Sequence, residues 1–284
     1  MKKWLKRISL GISLLLTLIG IVAVYGFYIE PRRLIVTQNT LTVPNFSPTL
    51  NGLKIVAISD IHGGSAIVTE EKLRKVVETA NAQNPDLVVL LGDYVSQIDG
   101  KHSDLKMPIE TIADNLRGFK AKYGVYGVIG NHDWWFDDKR VTEEFEKADI
   151  NILENEAEPI KIGEETVWIW GIEDYWRGRR VPLQNSYDKI PTKKNILAIT
   201  HNPDSLLKAP GDISIMFAGH SHGGQVYIPL YGREAFVNDE RFMYGHAEVD
   251  GKNIFVTAGI GTSIIGFRFL VPPEISVVTL TSAK

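Results

Sequence analysis

The chain has 284 residues with 31 basic and 34 acidic side chains, 44% hydrophobic content and no cysteine. Disulfide frameworks, thiolate metal sites, Fe–S clusters and Cys nucleophiles are thereby excluded. A formal charge of −3 argues against a dedicated nucleic-acid binder, which needs a basic face to neutralise phosphates.

Ile8 to Ile29 is a run of 22 residues without a charged side chain, and a helix needs about 20 to cross a bilayer core. Lys2, Lys3, Lys6 and Arg7 precede it; Glu30, Arg32 and Arg33 follow. The heavier positive flank predicts a cytoplasmic N-terminus, with the remainder of the chain outside. Tyr25, Phe27 and Tyr28 stand where an interfacial aromatic belt belongs. A cleaved signal peptide has a shorter apolar core and a small-residue cleavage site. Residues 1–30 therefore read as a retained membrane anchor and 31–51 as a linker with a first strand, Leu34–Val43. Beyond residue 30 the chain has 27 basic and 33 acidic residues. An acidic domain that handles phosphate needs cations to reverse its local field.

The next elements alternate. Ile55–Ser59 is a short apolar, β-branched run and predicts a buried strand. Leu73, Val76, Val77 and Ala80 share one face of a helix over Thr69–Gln83. Strands follow at Leu87–Leu91 and Val125–Ile129, and helices at Ile109–Lys120 and Val141–Ala148. Further strands fall at Val167–Ile172, Ile196–Thr200, Ile213–Ala218, Phe255–Thr257 and Ile275–Thr281. The polar, aromatic segment Glu173–Lys194 reads as a loop over a site. The alternation predicts an α/β architecture, and the helix-poor C-terminal part fits a sandwich of two sheets flanked by helices.

Five strands run directly into polar clusters. These are Asp60-Ile61-His62, Gly92-Asp93, Gly130-Asn131-His132-Asp133, His201-Asn202-Pro203 and Gly219-His220-Ser221-His222. Sites in layered α/β proteins form beyond the carboxyl ends of strands, so the clusters are expected to converge. Five of the seven histidines lie in them, and only His102 and His246 fall outside. Imidazole, carboxylate and amide oxygen together suit Mn, Fe or Zn. A set this large can hold two cations, with Asp93 the candidate bridge, and paired cations clamp a phosphoryl group.

The five blocks, in this order, resemble the signature of the calcineurin-like metallophosphoesterase superfamily over roughly residues 52–284. The His220–Val226, Gly259–Thr262 and Val271–Ile275 segments resemble its membrane-anchored bacterial branch, which includes phosphodiesterases and a UDP-2,3-diacylglucosamine pyrophosphatase. The resemblance implies a four-layer β-sandwich flanked by helices, with 52–284 as the catalytic domain. It implies two divalent metal ions, one held by Asp60, His62, Asp93 and His222, the other by Asp93, Asn131, His201 and His220. It gives His132 a role at the transition state or leaving oxygen, with Asp133 orienting it. A water activated between the cations is then the expected nucleophile, and the expected substrate is a phosphodiester or pyrophosphate, lipid-linked or a wall polymer. A monoesterase or protein phosphatase of the same fold, or a scaffold without activity, are the alternatives.

Three further features have two readings each. Trp134, Trp135 and Phe136 form an apolar wall or pack on the sheet. Trp176 with Arg177, Arg179 and Arg180 grips an anionic head group or is a solvated loop. Phe267, Phe269 and Leu270 around Arg268 face the membrane or fill the core.

Overall fold

The computed structural model describes residues 2–65, 67–96, 105–177, 182–233 and 237–283. Arg179, Arg180 and His102 lie outside them. Helix α1 covers Lys2–Val24 and continues through a π-helical turn, Tyr25–Ile29, and a 3-10 turn, Glu30–Arg32. Residues 3–32 form one segment long and apolar enough to cross a membrane, and its most apolar stretch is not buried against the rest of the chain.

Among the described residues, the remainder is built on two six-stranded sheets. The first contains β1 (Ile35–Val43), β2 (Leu53–Ile58), β3 (Leu87–Leu90), β4 (Val125–Gly127) and β5 (Asn151–Ile152). The second contains β6 (Glu156–Ile162), β7 (Glu165–Ile172), β8 (Ile196–Thr200) and β9 (Ile215–Ala218). A short hairpin, β10 (Tyr227–Ile228) and β11 (Gly232–Arg233), stands apart from both. Strands β12 (Gly245–Val249) and β13 (Lys252–Val256) complete the second sheet, and β14 (Glu274–Ser282) returns to the first. The orders are β1-β14-β2-β3-β4-β5 and β12-β13-β9-β8-β7-β6. Strands β2 to β5 run parallel, as do β7, β8, β9 and β13. Their carboxyl ends carry the polar clusters.

Side-chain alternation builds the layers. On β2, Ile55 and Ala57 face the other sheet while Val56 and Ile58 face helices. On β8, Leu197 and Ile199 join the inter-sheet core while Ile196 and Ala198 face outward. Every residue of β3, β8 and β9 is buried, which accounts for their continuous apolar runs. Helices α2 (Glu70–Asn81) and α3 (Ile109–Leu116) cover the outer face of the first sheet. The oxygen of Thr69 caps α2 by accepting from the Lys72 N–H at 3.3 Å. The expected α/β sandwich of two sheets with flanking helices is the observed one.

Sequence periodicity misses several elements. A helix α4 (Asn131–Phe136) begins inside a polar cluster, and α5 (Asp138–Lys147) starts earlier than expected. The edge strands β6 and β12 have polar faces and lack the apolar runs that marked the central strands. The expected loop Glu173–Lys194 contains a 3-10 turn, Tyr175–Arg177, and a short helix, α6 (Leu183–Tyr187). Leu183 and Tyr187 close the outer face of the second sheet.

Candidate metal centre

The clusters at the ends of β2, β3, β4, β8 and β9 meet at one point. Asp60, His62, Asp93, Asn131, His201 and His222 are buried there, and His220 is half-buried. Asp60, His62, Asp93, His220 and His222 all adopt positive φ, between 47° and 67°. Left-handed backbone is uncommon for residues other than glycine and gathers at functional sites. Here it turns the side chains inward as each strand ends.

Two glycines let these turns approach one another. Gly92 has φ +84°, and a Cβ added to it would lie 2.6 Å from the Gly130 nitrogen and 3.0 Å from His201 Nδ1. A Cβ on Gly130 would lie 2.3 Å from Asp93 Oδ1. Gly92→Ala therefore combines about 1–3 kcal/mol of backbone strain with displacement of two neighbouring turns. A lowered melting temperature and loss of bound metal, read by mass spectrometry of the metal content, are the expected results.

The donor atoms fall into three overlapping groups, each within 4.8 Å: Asp60, His62 and His222; His62, Asp93 and His132; Asp93, His201 and His220. His62 Nε2 lies 3.2 Å from His222 Nε2, which lies 3.3 Å from Asp60 Oδ1. Asp93 Oδ2 lies 3.2 Å from His201 Nε2, 3.7 Å from His62 Nε2 and 3.9 Å from His132 Nε2. Asn131 Oδ1 and His220 Nδ1 each stand 3.1 Å from His201 Nε2. The second ring nitrogens of His62 and His201 are already used. His62 Nδ1 donates to the Val95 carbonyl at 3.1 Å, and His201 Nδ1 to the Leu91 carbonyl at 2.7 Å. Each such bond fixes the tautomer that presents Nε2 to a cation.

The residues fit divalent cations. Asp60 Oδ1 is buried without a hydrogen-bond partner, a cost that a cation bound to that oxygen would offset. Burial, then His132, pushes His62 down to about 3; burial, then His62, pushes His222 well below the usual imidazole value. Both rings are therefore neutral at pH 7, with a nitrogen lone pair available to a cation. Burial alone would raise Asp93, but His201 and His132 hold its carboxyl well below the ordinary range. Burial opposes protonation of His201, and Asp93 overcomes it, raising the ring to about 10. A cation bound there replaces that proton. Burial, only partly offset by His201, lifts Asp60 to about 6, so acidification through that range protonates it and weakens cation binding.

Asp133 reaches the site through the backbone. One oxygen accepts the N–H of Tyr94 at 2.8 Å and Val95 at 3.1 Å; the other accepts Asp93 at 2.8 Å and Gly130 at 2.9 Å. Its two oxygens thus pin the Asp93 turn to the Gly130 turn. The His132 N–H donates to Asp93 Oδ1 at 2.9 Å, and its ring lies against Trp135 with centroids 4.9 Å apart.

A cavity of about 440 Å³ opens over these groups, with Asp93, Asn131, His132, His220 and His222 in its lining. Its walls are largely apolar: Trp135, Trp176, Val226, Ile264 and Ile265. The aromatic triplet thus divides, Phe136 and Trp134 packing on the helix side of the sheet and Trp135 facing the cavity. Trp176 stands edge-on to His220 at 4.5 Å. Arg177 is not among the residues that line the cavity. It is buried in ion pairs with Asp138, Glu154 and Glu173, which consume its charge. Sequence reasoning missed Ile264 and Ile265; their signal is two adjacent apolar residues in a glycine-rich, strandless segment.

Residues 53–224, more than half of the chain, match the family described as calcineurin-like phosphoesterase. The chain belongs to that family. Among its relatives is the metallophosphoesterase YkuE of Bacillus subtilis (strain 168), 27% identical over 92% of this chain and 90% of that one. The phosphodiesterase YaeI of Escherichia coli (strain K12) is 28% identical over 90% of this chain and 92% of its own length. A zebrafish (Danio rerio) transmembrane protein with a metallophosphoesterase domain is 29% identical over 95% of this chain and 62% of its own. In such a family a metal-dependent phosphoester hydrolase fits the His and Asp clusters found here.

Proposed function

We propose that this chain is a dinuclear-metal phosphodiesterase or pyrophosphatase that acts on a membrane- or envelope-associated substrate. The observation that carries the proposal is the convergence of seven side chains of metal-ligating type at the strand ends beneath one apolar-walled cavity, whose lining includes Asp93, Asn131, His220 and His222. Asp60, His62, Asp93 and His222 would hold one cation, and Asp93, Asn131, His201 and His220 the other, each Mn, Fe or Zn. Two bound cations neutralise phosphate charge and lower the pKa of water. His132 stands beside the shared Asp93 and gives a proton to the departing alkoxide oxygen. Trp135 and Trp176 seat the apolar part of the substrate and keep bulk water from the reacting phosphorus. Asp133 keeps the Asp93 and Gly130 turns in register.

Helix α1 anchors the chain in the cell membrane, with its basic N-terminus cytoplasmic and the catalytic part outside. The substrate is therefore a phospholipid or a wall polymer in preference to a nucleotide-linked lipid, which the cytoplasm supplies.

The full chain in detergent, stripped with chelator and resupplied with Mn²⁺, tests the reaction class. Cleavage of bis-p-nitrophenyl phosphate should return with the metal and exceed that of p-nitrophenyl phosphate. A monoester preference would move the assignment to a phosphatase. Two bound metals with neither substrate cleaved, nor any lipid diester, would make the chain a scaffold.

A further inference from the structure

We propose that the tip of the β10–β11 hairpin and the loop Ser263–Leu270 lie in the bilayer interface beside the end of α1, so that the metal cavity opens at the membrane surface. This rests on α1 crossing the membrane, as proposed above.

The rim is apolar and open to solvent. Leu230 is fully exposed, and Tyr231, Ile264 and Ile265 are 71%, 68% and 57% exposed. Ile228 and Leu270 add further exposed apolar surface. Scattered apolar residues need no explanation, but a contiguous patch marks an interaction surface. Covering it with lipid removes that apolar surface from water.

What covers it follows from what it is joined to. The Arg268 N–H donates to the Gly26 carbonyl at 2.9 Å, at the end of the membrane helix. Phe267 meets Phe27 at 4.9 Å and Phe269 meets Tyr25 at 5.8 Å. Gly26 fits only because it has no side chain: a Cβ there would lie 2.0 Å from the Phe267 ring. The hairpin joins the same loop, since the Tyr227 N–H donates to the Phe269 carbonyl at 2.9 Å. Gln225 Nε2 donates to the carbonyls of Ser263 and Ile265 at 3.3 and 3.1 Å. The rim is thus continuous with the aromatic belt at Tyr25, Phe27 and Tyr28.

The loop is also held in shape from inside. The fully buried Arg268 guanidinium donates to the carbonyls of Ala258, Gly259, Gly261 and Val271. That charge anchors the backbone while the isoleucines remain outside. Arg32, which donates to the Phe27 and Tyr28 carbonyls, and Arg33, paired with Glu30, are exposed beside this belt, where exposed guanidinium groups meet anionic lipid head groups. Apolar and aromatic side chains at the interface, backed by arginines, are the composition of a membrane-seated surface. Ile264 and Ile265 line the cavity as well as the rim, so a substrate diffusing in the leaflet passes from rim to metals without crossing bulk water.

The absence of cysteine makes the test direct. Single variants Leu230→Cys, Ile264→Cys, Leu14→Cys and Glu164→Cys of the full chain are labelled with an environment-sensitive fluorophore. Each is placed in nanodiscs of phosphatidylethanolamine and phosphatidylglycerol. Glu164 sits in the turn between β6 and β7, at the end of the sheet away from the metals, roughly 25 Å along an eight-residue strand. Labels at 230 and 264 should be quenched at least twofold by lipids carrying a nitroxide near the head group, and shielded from aqueous iodide. The label at 14 should respond to a nitroxide deep in the acyl chain, and that at 164 to iodide alone. A quenched label at 14 with labels at 230 and 264 open to iodide would overturn the rim while leaving the anchor intact. Iodide access at 14 as well would overturn both, whatever the diesterase assay gives.

Discussion

Replacing Asp93 by asparagine should empty both halves of the metal centre. Its Oδ2 stands 3.2 Å from His201 Nε2 and 3.7 Å from His62 Nε2, so one oxygen serves two groups of ligands. Asparagine keeps the volume and an oxygen but loses the negative charge that a shared ligand must supply to two cations. Loss of a residue that only supports a ligand costs ~10–100-fold in metal affinity or activity. Loss of the shared carboxylate should cost at least about 100-fold in diester turnover, with bound metal falling from two to below one per chain. Asp60→Asn is the control, because Asp60 belongs to one group only; it should leave one cation in place. Two metals retained by Asp93→Asn, with activity, would remove Asp93 from the bridging position.

His132→Ala should separate chemistry from metal binding. Proton transfer by a positioned side chain contributes roughly 10²–10⁴-fold. The size of the loss should follow the leaving group. p-Nitrophenolate departs without a proton, so bis-p-nitrophenyl phosphate should be affected little, and a dialkyl or glycerol-type diester by the full factor. Metal content should remain at the wild-type value throughout. The opposing result has a structural basis, since His132 Nε2 falls within the His62–Asp93 group. Metal lost together with turnover on every substrate would make His132 a ligand.

The strands that carry the centre were readable because both faces of each are buried, which turns β3, β8 and β9 into unbroken apolar runs. A polar residue at the end of such a run stands out. The edge strands gave no such contrast: β6 alternates exposed and partly buried residues around Pro159. Helix α4 was hidden because its first turn is made of the site residues themselves, Asn131, His132 and Asp133. The direction of Asp133 was equally hidden, because three of its four partners are N–H groups about 40 residues away, brought near by the β3–β4 pairing. The fate of Arg177 depended on Asp138 and Glu154, which adjoin it only in the fold.

Strand β1 pairs in parallel with β14 over nine residues, and only Arg33 and Leu34 separate it from the helical turn at Glu30–Arg32. Lys72 Nζ donates to the Pro31 carbonyl at 2.9 Å, and Glu30 is buried. The joint between helix and sheet is therefore a stiff elbow with no slack. A flexible tether of thirty residues would have a root-mean-square span of roughly 30 Å; this joint has almost none. With α1 in a bilayer, as proposed above, the catalytic part would patrol a plane and not a volume, its height fixed by two residues of backbone. Lengthening that joint with a glycine-serine insert would trade a fixed orientation for reach, and would expose which of the two its substrate requires.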